Sequence, residues 1–198
     1  RREGSPWKIM LLFMILTAVL SAFLDNVTTV LLVGPMAISI AGIPGIAPVP
    51  FLLTQILASN IGGTATLIGD PPNIMIGSKA GLSFADFVVT TGPAVILIMI
   101  VICALFYAVY GRRMVVAPER MAAVMELDEK RAVQDGMLMR KSLVMIALIV
   151  LGFVCHSSLG VESCVVALAA ASIMLLIGRQ DIEEIVLGVE WSTILFFT

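Results

Sequence analysis

The residues best suited to chemistry stand in two polar clusters, each set inside an apolar stretch. One is Asp25-Asn26-Val27-Thr28-Thr29; the other runs from Ser59-Asn60 through Gly62-Gly63-Thr64-Ala65-Thr66 to Gly69-Asp70-Pro71-Pro72-Asn73. Asn26, Thr28, Thr29, Ser59, Asn60, Thr64, Thr66 and Asn73 all offer oxygen ligands, and Asp25 and Asp70 add carboxylates. An ionisable residue at membrane depth costs at least a few kcal/mol, so each Asp must be paired, protonated, hydrated or bound to a cation. Helices starting after Asn26 and after Pro71 would turn free amides and positive dipole ends toward one region. Carbonyls freed near Gly62, Gly63 and Gly69 would offer the opposite polarity, so one site could hold a cation beside an anion. The plainer reading is that Asp25 and Asp70 cap these helices and do nothing more.

The chain around these clusters has 198 residues, 60% hydrophobic and only 13% charged, with a mean hydropathy of +1.08. Soluble domains run near 45–50% apolar and about 25% charged, so a soluble globular protein and a disordered chain are both excluded. A net charge of −2 gives no case for nucleic acid. Between Ile9 and Tyr110 the only charged residues are Asp25, Asp70, Lys79 and Asp86, whereas 111–141 carries seven Lys/Arg and five acids. Apolar stretches broken by one charged block mark an all-α polytopic membrane protein.

Three organisational segments follow: 1–110, the loop 111–141, and 142–198. Ile9–Leu24 is 16 uncharged residues, about 24 Å as a helix and short of the ~30 Å hydrocarbon core. With a second short run over Val30–Ala41, it predicts a re-entrant hairpin with its tip at 25–29; two full spans are the alternative. Gly42, Pro44, Gly45, Pro48 and Pro50 interrupt the chain, and Phe51–Ala58 gives eight residues of clean helix. The Gly- and Pro-rich 59–73 stretch then predicts a helix broken near mid-membrane, tolerated only where backbone is buried in protein or lines a cavity.

Ser83–Phe87 reads as an interfacial segment before a full span at Val88–Tyr110, and Met121–Gln134 as a surface helix. Leu143–Val154 and Cys164–Ile177 read as an antiparallel pair turning near His156–Gly160. Lys/Arg bias places Arg1, Arg2, Lys8 and the 111–141 loop in the cytoplasm, with the chain in a plasma (inner) membrane. A start without Met and a stop inside the apolar Leu195-Phe196-Phe197-Thr198 suggest an internal piece of a longer protein, one that would not transport alone.

Ser21-Ala22-Phe23-Leu24-Asp25-Asn26-Val27-Thr28-Thr29-Val30, with Ser59–Thr66 and Gly69–Asn73, resembles the ion-transporter superfamily. Within it the chain looks most like the arsenite-pump/pink-eyed-dilution-protein group, the citrate-transporter-like domain. His156-x-x-Leu159-Gly160 and Val189-Glu190-Trp191-Ser192-Thr193 look like the same branch. The resemblance covers nearly the whole chain. It implies a secondary transporter of two inverted repeats, commonly a homodimer with an elevator-like transport domain, of which this chain holds the first repeat. It implies a small anion as substrate, arsenite-like or citrate/dicarboxylate-like, coupled to H+ or Na+, with no other cofactor and no enzymatic activity. In related dicarboxylate–sodium symporters a Ser-Asn-Thr hairpin tip and a broken helix hold sodium. By position this implies Na+ at Asn26, Gly69 and Asp70. Carboxylates at 25 and 70 replace hydroxyl residues, which favours proton coupling.

An anion channel with the same polar lining and an intramembrane aspartyl protease using Asp25 and Asp70 are the rival classes. The protease pattern Gly-x-Gly-Asp is broken here by Leu67. Cys103, Cys155 and Cys164 read as packing residues, and His156 with Cys155, Glu162 and Cys164 as a turn rather than a metal site. Gly77 and Gly81 form a small-xxx-small pair suited to helix contact.

Overall fold

The computed structural model describes residues 6–111, 114, 116, 136–178, 182–189 and 191, and among them every regular element is helical. The chain divides into two compact units, 1–127 and 128–198. The expected surface helix at Met121–Gln134, the side chain of His156, and residues 190 and 192–198 lie outside the described residues.

In the first unit α1 (Pro6–Ser21) and α2 (Asn26–Gly42) form the two short arms expected, joined by a turn at 22–25. The third helix differs from expectation. Instead of eight residues it runs 16, as α3 (Pro48–Gly63). Pro48 starts it rather than breaking it, because the first helical position needs no N–H donor. Ser59–Gly63 are therefore helical, and the break is confined to 64–70. Helix resumes as α4 (Pro71–Ala80) and ends at Gly81, whose φ of 66° is left-handed and suits glycine. Gly77 touches Leu67 and Phe87, but a Cβ at Gly81 would meet open space. Gly81 is thus a cap, with no packing neighbour among the described residues.

Next, α5 (Phe84–Phe106) starts four residues earlier than the expected span and continues through one π turn, Tyr107–Gly111. The expected interfacial segment Ser83–Phe87 forms its cap and first turn. Ser83 Oγ accepts from the Asp86 amide at 3.2 Å, while Asp86 Oδ2 accepts from the Ser83 amide at 2.8 Å, the reciprocal capping box.

Pairs of contacts give the directions of these helices. Thr17 meets Gln55 and Ser21 meets Ser59, so α1 and α3 run parallel. Asn26 meets Asn60 and Gly34 lies against Leu52, so α2 returns antiparallel to α3. Thr91 bonds Ala65 and Trp7 meets Tyr107 in a tilted ring contact with centroids 5.2 Å apart, so α5 runs opposite to α1. The apolar core of Met10, Phe13, Val33, Ala37, Ala41, Phe51 and Phe106 fills the Trp7 end. Polar side chains occupy the other.

Thr17, Ser21, Thr29, Thr54, Gln55 and Ser59 are all fully buried. Thr17 Oγ faces both the Phe13 carbonyl at 2.7 Å and Gln55 Oε1; Gln55 Nε2 donates to Thr54 Oγ at 3.4 Å, and Thr54 donates to the Phe51 carbonyl at 2.7 Å. Lipid tails already solvate apolar side chains, so such bonds and close packing hold membrane helices together. Replacing Gln55 by Leu should lower stability by only about 0.6–1.7 kcal/mol, because both threonines retain carbonyls of their own helices. Thermal unfolding in detergent measures it.

The second unit holds α6 (Gly136–Leu159), α7 (Ser163–Gly178) and α8 (Ile182–Leu187). Lys141 Nζ donates to the Ile177 carbonyl at 3.0 Å, and Gly152 lies against Val166, so α6 and α7 are antiparallel. Both exceed their expected lengths, and the turn falls at 160–162 rather than 156–160. Gly160, with φ 64°, ends α6. Among the described residues, Phe84–Gly111 and Gly136–Cys155 are long and apolar enough to cross a bilayer.

Candidate functional site

Parallel α1 and α3 bring their polar ends to one level, and this joins the two clusters seen in the sequence. Asn26 Nδ2 donates to Asn60 Oδ1 at 3.1 Å across the hairpin tip. Thr66 donates to the Ala22 carbonyl, so the break folds back onto the turn between α1 and α2. From the far side of the break, Asn73 Nδ2 donates to the Thr66 carbonyl at 2.9 Å and to the Gly63 carbonyl at 3.2 Å.

Glycines make this convergence possible. A Cβ on Gly62 would strike the Ala18 backbone, with Ala18 Cα at 2.5 Å; one on Gly69 would meet the Ser21 carbonyl at 2.7 Å. Gly63 and Gly69 touch each other directly. The carbonyls expected to stand free here are partly used: that of Gly62 accepts from Ala65 N at 3.0 Å, and that of Gly63 from Asn73. Gly62 and Gly63 therefore act as close-packing positions.

The helix starts also depart from expectation, and differently from each other. Asp25 is the N-cap of α2: its Oδ2 accepts from Thr28 N at 3.0 Å and from Thr28 Oγ at 3.3 Å. The Asp25 carbonyl accepts from Thr29 N at 2.9 Å, leaving the Asn26 and Val27 amides as the open donors of this end. Asp70 occupies the same position before α4, yet its side chain makes no capping bond. The sequence explains why. Pro71 and Pro72 lack N–H groups, and the next two amides, of Asn73 and Ile74, bond the Asp70 backbone carbonyl at 3.0 and 3.4 Å. The start of α4 thus supplies a dipole but no free amide, and the Asp70 carboxylate has no hydrogen bond among the described residues. It is half-buried, on the segment that the Thr66–Ala22 bond folds back onto the hairpin turn.

Asp25, Asn26 and Asp70 are half-buried, while Thr28, Asn60, Thr64 and Pro72 are exposed. Ser59, Gly62, Gly63, Gly69 and Asn73 are buried beneath them, and Pro71 is half-buried. Thr64 Oγ bonds back to the Asn60 carbonyl at 2.8 Å, and Ser59 Oγ to that of Ile56 at 3.0 Å. Ser59 thus meets α1 through its backbone. Thr29 is fully buried, and its hydroxyl has no partner among the described residues.

Sequence reasoning missed Thr17, Thr54 and Gln55. A signal was present: Thr17/Ser21 and Gln55/Ser59 are i,i+4 pairs in otherwise apolar arms, which place polar groups on one helix face. Among the described residues no group of three His, Cys, Asp or Glu side chains could hold a metal.

Two expectations separate capping from other roles. Asp25→Ala should cost about 1 kcal/mol through loss of the cap, whereas Asp25→Asn keeps an acceptor and should unfold near the parent temperature. Thr29→Val should be neutral or stabilise by up to about 1 kcal/mol, since it removes an unpaired buried hydroxyl. Both are read by thermal unfolding.

The chain is 41% identical over 197 residues to a 46 kDa membrane protein of Mycobacterium leprae and 40% identical to an uncharacterized transporter of Mycobacterium tuberculosis. All of this chain aligns with each, covering 46% of their length, so it spans a little under half of these curated relatives. The human P protein is 27% identical over 267 aligned residues, covering 98% of this chain and 32% of that protein. The pattern of the Citrate transporter family matches residues 1–198. With its apolar helices and its two polar clusters drawn together, the chain is an integral membrane protein that belongs to the Citrate transporter family.

Proposed function

We propose that the protein containing this chain is a secondary transporter that moves a small anion coupled to H+ or Na+, with residues 25–29 and 59–73 forming half of its site. The observation that carries this reading is the Asp70 carboxylate, half-buried on a break that folds back onto the turn carrying Asp25 and denied helix amides by Pro71-Pro72. Two nearby carboxylates repel when both are charged, and a bound proton or Na+ relieves this. Protonation of Asp70, or Na+ held by Asp70, Asn26 and the Gly69 carbonyl, supplies the coupling step. The open amides of Asn26 and Val27 at the positive end of α2 suit the anion. Citrate and other carboxylates are the first substrates to try, with arsenite next.

Depth supports a re-entrant hairpin. Trp7 and Tyr107 form an aromatic pair of the kind that sits at a membrane interface. From Trp7 to Ala22 is about 23 Å of helix, and from Tyr107 back to Thr91 about 24 Å. The tip therefore stops inside a ~30 Å core that α5 crosses completely. On Lys/Arg bias the Trp7 end and residues 111–141 are cytoplasmic, in a plasma membrane. The share of the relatives covered leaves room for a second, inverted repeat carrying the other half of the site, and for elevator motion in a homodimer.

The test is flux into liposomes by the full-length protein, using a panel of citrate, dicarboxylates, arsenite and chloride. A pH gradient is imposed with and without sodium. Saturable uptake driven by one gradient is expected. Flux that neither saturates nor follows a gradient would instead identify a channel.

A further inference from the structure

We propose that the groove between α6 and α7 is a binding site for an anionic phospholipid, its headgroup on Arg140 and Lys141 and an acyl chain along the apolar floor. The groove has a volume of about 670 Å³ and is otherwise lined by aliphatic and methionine side chains, Met145, Ile149, Val166 and Ala170 among them. Its two cations lie together at one end. The Lys141 ammonium reaches the Ile177 carbonyl at 3.0 Å, which places it at the last turn of α7, and exposed Arg140 precedes it on α6. From Ile177 to Val165 the floor extends about 18 Å along α7, longer than the ~15 Å of hydrocarbon in one leaflet.

An occupant must be apolar along this length and negative at one end. A further helix of the protein would match the floor but would leave the two cations at its end without a countercharge. A zwitterionic or neutral lipid would match the floor without answering the charge. An anionic phospholipid answers both, as basic pockets between membrane helices do elsewhere. The basic end is also the end assigned to the cytoplasm on Lys/Arg bias, the side where anionic lipid attracts basic segments. The proposal rests on the membrane setting and that orientation, and not on the transported substrate.

The experiment is native mass spectrometry of the full-length protein in detergent, titrated with phosphatidylglycerol and, separately, with phosphatidylcholine of identical acyl chains. Phosphatidylglycerol should bind preferentially. Each of Arg140→Gln and Lys141→Gln, which keep hydrogen-bonding capacity but remove charge, should weaken it about fivefold, and the double variant about thirtyfold. Ala169→Phe, which adds bulk to the groove, should weaken both lipids. Equal binding of the two lipids, or a preference unchanged in the double variant, would overturn the proposal. So would full competition by glycerol phosphate, which would mean a headgroup site without a chain. A disulfide formed between Ala169→Cys and a cysteine on another helix would show the groove filled by protein. Because binding is read without flux, failure of the transport reading would leave this result interpretable.

Discussion

Asp70→Asn in the full-length protein should reduce gradient-driven anion uptake about a hundredfold while leaving the protein folded, a loss equivalent to about 2.7 kcal/mol. The fold should survive because the Asp70 carboxylate contributes no cap. Its backbone carbonyl, which asparagine keeps, accepts the Asn73 and Ile74 amides. Transport should not survive, because an amide can neither exchange a proton nor offset a cation. The comparison with Asp25→Asn is informative, since Asp25 is already satisfied by Thr28. If Asp70 carries the coupling, its variant should lose the dependence of uptake on the driving gradient, whereas the Asp25 variant should retain part of it. Measured over a range of pH, an Asp70→Asn protein with parental uptake and parental coupling would assign both carboxylates to helix starts alone.

The second large effect concerns stability. Gly62→Ala should destabilise the protein by about 3 kcal/mol or more, enough to remove most of it from a detergent-solubilised folded fraction. The added methyl would meet the Ala18 backbone, with Cα at 2.5 Å, and two backbones cannot yield as a side-chain tip can. Overpacking of an ordinary core costs about 1–3 kcal/mol, and here the relief must come from separating α1 and α3. Gly69→Ala should behave similarly, since its methyl would meet the Ser21 carbonyl at 2.7 Å. Gly42→Ala is the control: a Cβ there, on the last residue of α2, meets nothing within 4 Å, and glycine in a helix is less favourable than alanine by about 0.5–1 kcal/mol. It should leave stability unchanged or raise it. Size-exclusion profiles after graded heating distinguish the three. An unshifted Gly62→Ala protein would mean that α1 and α3 are farther apart than this packing requires.

Much of this molecule was legible from residue types alone. Apolar runs with few charges dictate membrane helices, because an unpaired charge or open backbone is costly in hydrocarbon. The length of Ile9–Leu24 gave a short arm, and the polar residues at 25–29 and 59–73 gave the site clusters. Local chemistry also set details that could have been read more closely: Pro71-Pro72 removes two amides from the start of α4 whatever the tertiary structure, and Ser83 with Asp86 is a capping box by spacing. Boundaries were less legible. A proline reads as a break in one dimension, yet Pro48 begins α3 because a first-turn residue needs no donor.

Only the tertiary structure decided which polar groups meet. Sequence periodicity gives the face of a helix but not the direction or the level of its neighbour, since apolar side chains are equally at ease against lipid or protein. The parallel register of α1 and α3 came from bonds 38 residues apart, Thr17 with Gln55 and Ser21 with Ser59. That register, made close by Gly62 and Gly69, brings the segment carrying Asp70 against the turn before Asp25. The composition of the two clusters was a property of the chain; their union is a property of the packing, because it depends on distances between segments that no local preference sets.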